Sequence, residues 1–225
     1  MVSAESSGVR RMIVELVGGS GSGKTVVKQR LCEILPERYG VHTVDARGIR
    51  RRDYMWSLQA LASTWRVVSL SKKLEQHSSR RWSKEKKRRI RRKLMRFSYL
   101  RFEARNAGQT SEEPIYLTDQ DLIFWARRNA ASPALLEHLP LPDCVIELEA
   151  GAETMANRRL QRDQRVKEKG RDGREGGPDT DALKRELQAR GTRSLVFRND
   201  EDTDLEELVD RIADELVGDS GLVRQ

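Results

Sequence analysis

Residues 12–25 read MIVELVGGSGSGKT, an apolar run followed at once by a glycine-rich turn. The apolar run predicts a buried strand, and residues 25–35 predict a helix that Pro36 ends. Between them, the turn fits the phosphate-binding pattern G-x-x-x-x-G-K-[ST] at every fixed position. The turn consists of Gly18, Gly19, Ser20, Gly21, Ser22, Gly23, Lys24 and Thr25. A strand, this turn and a helix in succession indicate a phosphate-binding loop rather than a glycine-rich linker.

The residue types of this loop suit a nucleoside triphosphate bound with Mg²⁺. Glycines let consecutive backbone N–H groups turn inward around a polyphosphate, and the N-terminus of the following helix adds positive potential. Lys24 would bridge the β- and γ-phosphates, and the hydroxyl group of Thr25 would hold the metal ion. We therefore expect ATP and Mg²⁺ as cofactors, and GTP stays open as the donor.

Length and composition indicate a soluble protein with one core. The chain has 225 residues, of which 37% are hydrophobic and 35% charged. No apolar run approaches the roughly 20 residues needed to cross a bilayer, and residues 1–8 carry no secretory pattern. Cys32 and Cys144 lack metal-ligand spacing and are expected to be apolar fillers. We expect a cytoplasmic protein, and the sequence leaves both a monomer and a homodimer open.

Strand and helix patterns alternate along the chain, which predicts an α/β fold with a parallel sheet covered on both faces. After the first strand, further strands are predicted over residues 41–45, 115–117, 144–148 and 195–197. Further helices are predicted over residues 53–67, 122–129, 152–165, 180–190 and 204–216. Residues 170–180 combine glycines with charges and predict a mobile loop. We expect residues 1–225 to form a single domain.

One segment holds the excess positive charge. The formal net charge is +8, yet residues 72–105 contain 15 Lys or Arg and 3 Glu, against 28 basic and 32 acidic residues elsewhere. From Ile90 to Ala104, apolar residues recur every three or four positions, which predicts an amphipathic helix docked on the core. Its basic run, from Lys84 to Lys93, is either a solvated face or a surface for nucleic acid or another polyanion. Trp82 either stacks on a base or anchors the end of the helix.

Carboxylates follow the second and third predicted strands. In a parallel sheet, ligands collect at the carboxyl ends of the strands. Asp119 could face the phosphate loop there and hold Mg²⁺ together with Thr25, and Asp121 could contact substrate. Asp45 could accept a proton from an attacking hydroxyl group or contact the acceptor directly. Capping of the next helix is the alternative for each of these carboxylates.

Two further groups of residues could surround an acceptor and the transferring phosphoryl group. Arg47 could grip an anionic acceptor, and Trp56 could lie against a planar base or pack in the core. Ahead of the glycine-rich loop, three arginines share a helical face at steps of four and three: Arg158, Arg162 and Arg165. Residues 158–180 are thus predicted to be a lid whose arginines neutralise the transition state. A solvated arginine-rich helix is the alternative.

The order of phosphate loop, strand-end acid, arginine-rich lid and late strand–loop–helix resembles the thymidylate kinase-like branch of P-loop nucleoside and nucleotide kinases. Residues 141–148, LPDCVIEL, resemble the family's fourth strand, and Arg198-Asn199-Asp200 resembles the loop beside the adenine ring. The resemblance implies a three-layer P-loop NTPase fold, α/β, with a five-stranded parallel sheet in the order 2-3-1-4-5 and helices on both faces. It also implies that Asn199 lies against the nucleotide. Residues 66–105 would be a basic helical insertion on the acceptor side.

The chain departs from the family after the third strand. Gln120 follows Asp119, whereas the family carries Asp-Arg at this point. The resemblance implies that the missing arginine is replaced by Arg101 or Arg105, on the helix before that strand.

These features together predict a Mg²⁺-dependent ATP phosphotransferase, a P-loop kinase that moves the γ-phosphate to a hydroxyl- or phosphate-bearing acceptor. A nucleoside, a nucleotide, a sugar or glycan, and a modified base within DNA all stay open as that acceptor. The alternative is a nucleotide-gated NTPase or binding protein that docks on an anionic partner through its basic helix. A sulfotransferase also has a phosphate-binding loop, but Lys24 and Thr25 with Asp119 favour ATP and Mg²⁺.

Overall fold

A computed structural model describes most of the chain. The described residues are 11–46, 48–49, 58–76, 82–106, 114–119, 122–128, 139–165 and 180–218. Within these ranges, only the backbone is described at residues 58–66, 105–106, 125, 127–128, 162–165 and 180–183.

Strands and helices alternate along the described chain. The strands are β1 (Met12–Gly18), β2 (Thr43–Asp45), β3 (Ile115–Asp119), β4 (Cys144–Glu149) and β5 (Arg193–Arg198). The helices are α1 (Lys24–Tyr39), α2 (Leu58–Gln76), α3 (Lys84–Asn106), α4 (Leu122–Arg128), α5 (Ala152–Arg165), α6 (Thr180–Ala189) and α7 (Leu205–Gly218). In these ranges, no helix is both long enough and apolar enough to cross a membrane.

All strand pairs in the sheet are parallel, in the order β2-β3-β1-β4-β5, which confirms the predicted fold. The register sets Leu16 opposite Asp119, and Gly18 opposite Leu148. The carboxyl ends of β1, β3 and β4 therefore meet at one edge of the sheet, beside the glycine-rich loop. We call this edge the phosphate-loop edge.

Hydrophobic clusters cover both faces of the sheet, because β1 alternates between them. Ile13 and Val17 belong to a cluster that also contains the apolar residues of α3, whereas Val14 and Leu16 belong to a second cluster with α1 and α7. Alternation along one strand thus places helices on both sides, as a parallel sheet requires. The sheet is the middle of three layers.

Helix α1 does not end at Pro36, as the sequence pattern predicted, but continues to Tyr39. Proline has no N–H group for the carbonyl group four residues earlier, which here belongs to Cys32. The hydroxyl group of Thr43 donates to that carbonyl oxygen at 3.1 Å. One turn later, the buried Tyr39 donates its hydroxyl hydrogen to Asp214 of α7 at 2.5 Å. Contacts from outside the helix therefore compensate for the proline and hold the last turn.

The α2–α3 pair forms a helical hairpin. Arg91 Nε of α3 donates to Ser71 Oγ of α2 at 3.1 Å, and Lys87 Nζ lies 2.8 Å from Glu75 Oε1. Because higher residue numbers on one helix meet lower numbers on the other, the helices run antiparallel. Helix α2 extends to Gln76, nine residues beyond the predicted end of the helix over residues 53–67. The described part of α2 begins at Leu58.

The apolar face predicted for α3 is buried. Ile90, Leu94, Phe97 and Leu100 are each almost inaccessible to solvent, and Ala104 packs against the same cluster. This confirms that the helix is amphipathic and docks on the core.

Most other element boundaries agree with the pattern within two residues. Helix α5 has the predicted bounds, and β5 begins two residues earlier than predicted. Strand β2 is shorter than predicted, because Val41 belongs to the turn that ends α1. The N–H group of Val41 donates to the carbonyl oxygen of Leu35 at 3.1 Å. The loop predicted over residues 170–180 lies outside the described residues, except for Thr180 at the start of α6.

Candidate functional site

The phosphate loop turns tightly between β1 and α1, and its two fixed glycines stand where the backbone requires them. Gly23 has a φ of +85°, and a Cβ atom there would lie 2.3 Å from Nδ2 of Asn199. Gly18 has a φ of +146°, and a Cβ atom there would lie 2.3 Å from the carbonyl oxygen of Leu148. Both the backbone conformation and the missing space exclude other residues.

Side chains from outside the loop donate to its carbonyl groups. Arg159 Nε donates to Ser20 O at 2.8 Å, and Asn199 Nδ2 donates to Ser22 O at 2.9 Å. In a trans peptide the N–H and C=O groups point in opposite directions, so the amides of residues 21 and 23 point away from these donors. The N–H groups of residues 21 and 23 are therefore not taken up by these contacts and can be offered to an anion.

The ammonium group of Lys24 lies within the turn of the loop. It donates to the carbonyl oxygens of Gly18 at 2.9 Å and Gly19 at 2.5 Å, and to Ser22 Oγ at 3.2 Å. These contacts hold a buried positive charge at the end of β1. A polyphosphate in the loop would meet that charge together with the amide hydrogens.

Thr25 and Asp119 meet at the phosphate-loop edge, although 94 residues separate them in sequence. The Thr25 hydroxyl group donates to Oδ2 of Asp119 at 3.3 Å, and Asp119 is buried at the end of β3. A hydroxyl and a carboxylate oxygen are hard ligands of the kind Mg²⁺ prefers, and that ion usually adds substrate phosphates to one or two protein carboxylates. The two residues fit such a shared site. Among the described residues, no three or more His, Cys, Asp or Glu side chains come together as a metal-binding group.

Lys28 belongs to the site but was missed in the sequence. Its ammonium group lies 2.7 Å from Oδ1 of Asp45 and 3.5 Å from Oδ1 of Asp119, and only 2% of its side chain is exposed. One helical turn separates it from Lys24, so both lysines lie on the same face of α1. This four-residue spacing could have indicated from the sequence that Lys28 lies near the loop. It does not show which carboxylates the lysine contacts. Lys28 joins the ends of β2 and β3 electrostatically.

Asp45 lies at the end of β2, and 41% of its side chain is exposed. Of the two carboxylates that contact Lys28, it is the one that solvent reaches. The structure therefore brings Lys24, Thr25, Asp119 and Asp45 to one edge of the sheet, with Asp45 farthest from the loop along the order β1-β3-β2.

Arg158 lies beside the phosphate loop, but on its carbonyl side. Its guanidinium group donates to the carbonyl oxygens of Asn199 and Asp200, both at 3.0 Å, and to Gly21 O at 3.4 Å. The Asp200 carboxylate accepts the N–H of Gly151 at 2.6 Å, which lowers the pKa of Asp200, with a further lowering from neighbouring Arg198. We call Arg158, Asn199 and Asp200 the loop latch, because they join α5 and the end of β5 to the loop.

Glu15 is a second charged residue missed in the sequence, where it stands inside an apolar strand. Its carboxylate is fully buried and accepts the backbone N–H groups of Ile123 at 3.1 Å and Phe124 at 3.0 Å. These are free donors in the first turn of α4, so Glu15 caps that helix from the neighbouring strand. The cap fixes the start of the helix that follows Asp119.

Arg101 does not reach the phosphate-loop edge. Its guanidinium group contacts Oδ1 of Asp143 at 2.8 Å and the carbonyl oxygen of Leu141. The other carboxylate oxygen of Asp143 accepts the N–H of Ile13 at 2.8 Å, so this cluster lies at the amino end of β1 and β4. Arg101 therefore connects α3 to the opposite edge of the sheet, where Asp143 and Leu141 hold its guanidinium group.

Several predicted site residues lie outside the described part of the structure. Arg47, Trp56 and Asp121 lie outside the described residues altogether. Arg105 on α3 and Arg162 and Arg165 on α5 are described by their backbone alone.

Seven of the eight residues in the basic run of α3 fall into two groups. One group ties α3 to its surroundings: Lys86 lies 5.1 Å from the ring centre of Trp82, Lys87 pairs with Glu75, and Arg91 bonds Ser71. The ring of Trp82 is buried in the core, which identifies it as an anchor at the start of the helix. The other group is exposed and consists of Lys84, Arg88, Arg89 and Arg92.

The sheet order, the helices on both faces and the loop between β1 and α1 define a three-layer P-loop NTPase fold. No family model matches the sequence, and no curated protein matches it either. Among solved structures, 277 chains match. One of them is a gluconokinase from Sinorhizobium meliloti 1021, with 14% identity, 95% of each chain covered and a TM-score of 0.42. Similarity at that level gives no information about the molecule on which this chain acts.

Proposed function

We propose that this chain is a Mg²⁺-dependent ATP phosphotransferase of the nucleoside and nucleotide kinase type, related to the thymidylate kinase-like branch. The contact of the Thr25 hydroxyl group with the Asp119 carboxylate, beside the buried ammonium group of Lys24, carries the proposal. A P-loop alone indicates nucleotide binding, but a strand-end carboxylate on the loop threonine adds the ligand set of a phosphoryl-transfer site. We further propose that the chain is a single domain and works in the cytoplasm.

The donor side of the site would bind the triphosphate through the loop from Gly18 to Thr25. The amide hydrogens of the loop and Lys24 would hold the β- and γ-phosphates and stabilise negative charge on the transferring group. Thr25 and Asp119 would hold Mg²⁺, which supplies charge neutralisation to the phosphates when bound. Asn199 would lie beside the adenine ring and at the same time hold the loop in shape.

The acceptor side would be the end of β2. Asp45 combines an exposed carboxylate with a fixed position, because Lys28 holds it from within the protein. Such a carboxylate can accept a hydrogen bond from the attacking hydroxyl group and orient its oxygen toward the γ-phosphate. Arg47, Trp56 and Asp121 would complete this side, together with Arg105 and the α2–α3 hairpin. Arg101 is not part of the proposed site.

The arginines of α5 would have two different tasks. Arg158 would position the phosphate loop as part of the loop latch, because its guanidinium group donates hydrogen bonds to the carbonyl oxygens of Gly21 and Asn199. Arg162 and Arg165, one and two turns further along α5, would be the arginines that a closing lid delivers to the transferring phosphoryl group.

The test is transfer of label from γ-labelled ATP to a panel of acceptors: nucleosides, nucleotides, sugars and duplex DNA with and without hydroxylated bases. We expect one acceptor class to be labelled in the presence of Mg²⁺, and Lys24→Met to reduce the rate by about 100-fold or more, the usual effect of removing a transition-state donor. Arg38→Met removes a positive charge near the other end of α1 from the loop, where Arg38 pairs with Asp210 on the surface, and as the control it should retain the rate. Absence of transfer to every acceptor would refute the proposal.

A further inference from the structure

We propose that the exposed residues Lys84, Arg88, Arg89 and Arg92 of α3 bind the phosphate backbone of duplex nucleic acid without reading its sequence. We call these four residues the basic face. The proposed interaction is separate from nucleotide binding in the phosphate loop and does not depend on phosphoryl transfer.

The four residues lie on the side of α3 that faces away from the core. Lys84, Arg88 and Arg92 follow each other at steps of four, and Arg89 lies next to them on the same side. The buried residues Ile90 and Leu94 lie on the opposite side. From Lys84 to Arg92 the helix rises about 12 Å. One strand of a duplex presents roughly three to four phosphates over that length.

Positive charge on this face is only partly balanced by the described residues. Arg88 and Arg92 form no ion pair among the described residues, and Arg89 has the pairing partner Glu85 on its own helix at 2.9 Å. Like charges follow each other one turn apart at Lys84, Arg88 and Arg92. This arrangement destabilises an isolated helix. A binding function gives a physical reason for such an arrangement.

Three arginines elsewhere on the described surface are paired with carboxylates of other elements. Arg30 contacts Glu206, Arg38 contacts Asp210 at 2.5 Å, and Arg193 contacts Glu215 at 2.6 Å. Outside residues 72–105 the chain contains 28 basic and 32 acidic residues. The basic face is therefore a local feature, and not the consequence of a generally basic protein.

The surroundings of the basic face favour nucleic acid over a membrane. A helix that binds a bilayer inserts apolar side chains, but α3 has its apolar side in the protein core. On α2 and α3, no large hydrophobic side chain is exposed among those that the structure describes, at residues 67–76 and 84–104. The ring of Trp82 is buried too, so it is not offered to an unpaired base. The basic face therefore offers positive charge, but no aromatic ring to stack on a base and no apolar side chain to insert into a bilayer. Such a surface suits the phosphate backbone of a duplex.

The test measures binding of the full chain to a fluorescently labelled DNA duplex of mixed sequence by anisotropy, over a series of salt concentrations. Four phosphate contacts predict a slope of log K against log salt of about −3.6. The double variant Arg88→Gln, Arg92→Gln should reduce the magnitude of this slope by about 2 and weaken binding at least 10-fold at low salt. Arg38→Gln with Arg193→Gln changes the net charge equally at distant sites and should bind like the wild type. ATP binding should be the same in all three proteins.

Three results would overturn the proposal. The first is failure of the wild type to bind the duplex at low salt, and the second is equal weakening by the control pair. The third is binding to phosphatidylserine vesicles in the same assay without binding to the duplex, which would assign the face to a membrane. Because ATP affinity is measured separately, loss of duplex binding and loss of nucleotide binding are distinguishable.

Discussion

Replacement of Lys28 by methionine should destabilise the protein by about 1.5–4 kcal/mol. The substitution keeps most of the buried side-chain stem but removes the ammonium group between Asp45 and Asp119. Loss of a buried partner of a charged group costs about 1.5–3 kcal/mol, and this applies to the buried Asp119. The Asp45 side chain is 41% exposed, so water screens its interaction with Lys28. Loss of that interaction should cost only about 0–1 kcal/mol.

Urea unfolding at pH 7 measures this effect, and a second substitution gives the test its specificity. In the Lys28→Met background, Asp119→Asn removes the charge that has lost its partner, so it should restore stability rather than lower it further. The two substitutions should therefore show a coupling energy of more than about 1 kcal/mol. Lys87→Met is the matched control, because Lys87 pairs with Glu75 at 2.8 Å at a more exposed site, and it should cost less than about 1 kcal/mol.

The reasoning would be refuted if Lys28→Met unfolded within about 0.5 kcal/mol of the wild type, the range of ordinary surface substitutions. Additive effects of the Lys28 and Asp119 substitutions would contradict it too, since they would mean that the two side chains do not interact.

Three further predictions concern the loop and its latch. Gly23→Ala should lower stability by about 1–3 kcal/mol and weaken ATP binding, because the added Cβ atom would collide with Asn199. The control is Gly191→Ala, at a residue with a similar φ of +77° but open space around it. This control should lower stability and leave ATP binding unchanged. Arg158→Ala should weaken ATP binding about 10-fold through a disordered loop, as measured by calorimetry, whereas a clamp role would lower the turnover rate with unchanged affinity. The lowered pKa of Asp200 stabilises the fold at pH values above its ordinary value near 3.8, and that contribution is lost as pH falls further through the folded-state pKa. The difference in unfolding free energy between wild type and Asp200→Asn should thus be constant from pH 7 to pH 5 and shrink below pH 4; a constant difference down to pH 3 would contradict the assignment.

The local features of this fold could be predicted from the sequence, because they depend on neighbouring residues. The apolar run, the glycine-rich loop and the first turns of α1 lie within one short segment. The bounds of α5 and the buried face of α3 follow from helical periodicity alone. The order of the strands was implied by a family resemblance, and the parallel ladders confirm it.

Features that depend on distant partners were missed. The end of α1 was predicted at Pro36, but Thr43 and Asp214 supply contacts that no local pattern contains. Glu15 looks like an interruption of a strand until Ile123 and Phe124 provide the donors for its carboxylate. The pairing of β1 with β3 brings these two donors to Glu15, and no local pattern contains that contact.

For the predicted site residues, too, the position of a side chain could be predicted only where neighbouring strands determine it. Asp119 is placed by the sheet itself, so its meeting with Thr25 could be expected from strand order. Arg101 is placed by a long helix, and one end of that helix lies at the edge opposite the loop. Its pairing with Asp143 could not be distinguished in the sequence from a contact with substrate.

The most direct test of the proposed site is calorimetric titration of the purified protein with ATP, with and without Mg²⁺. We predict that Mg²⁺ strengthens ATP binding in the wild type, and that Thr25→Ala and Asp119→Asn each reduce this gain by about 10-fold or more. Asp143→Asn and Thr192→Ala change the same residue types at the opposite edge of the sheet and should keep the full gain. If no nucleoside triphosphate binds with Mg²⁺, or if both site variants retain the full gain, the account of this loop is contradicted.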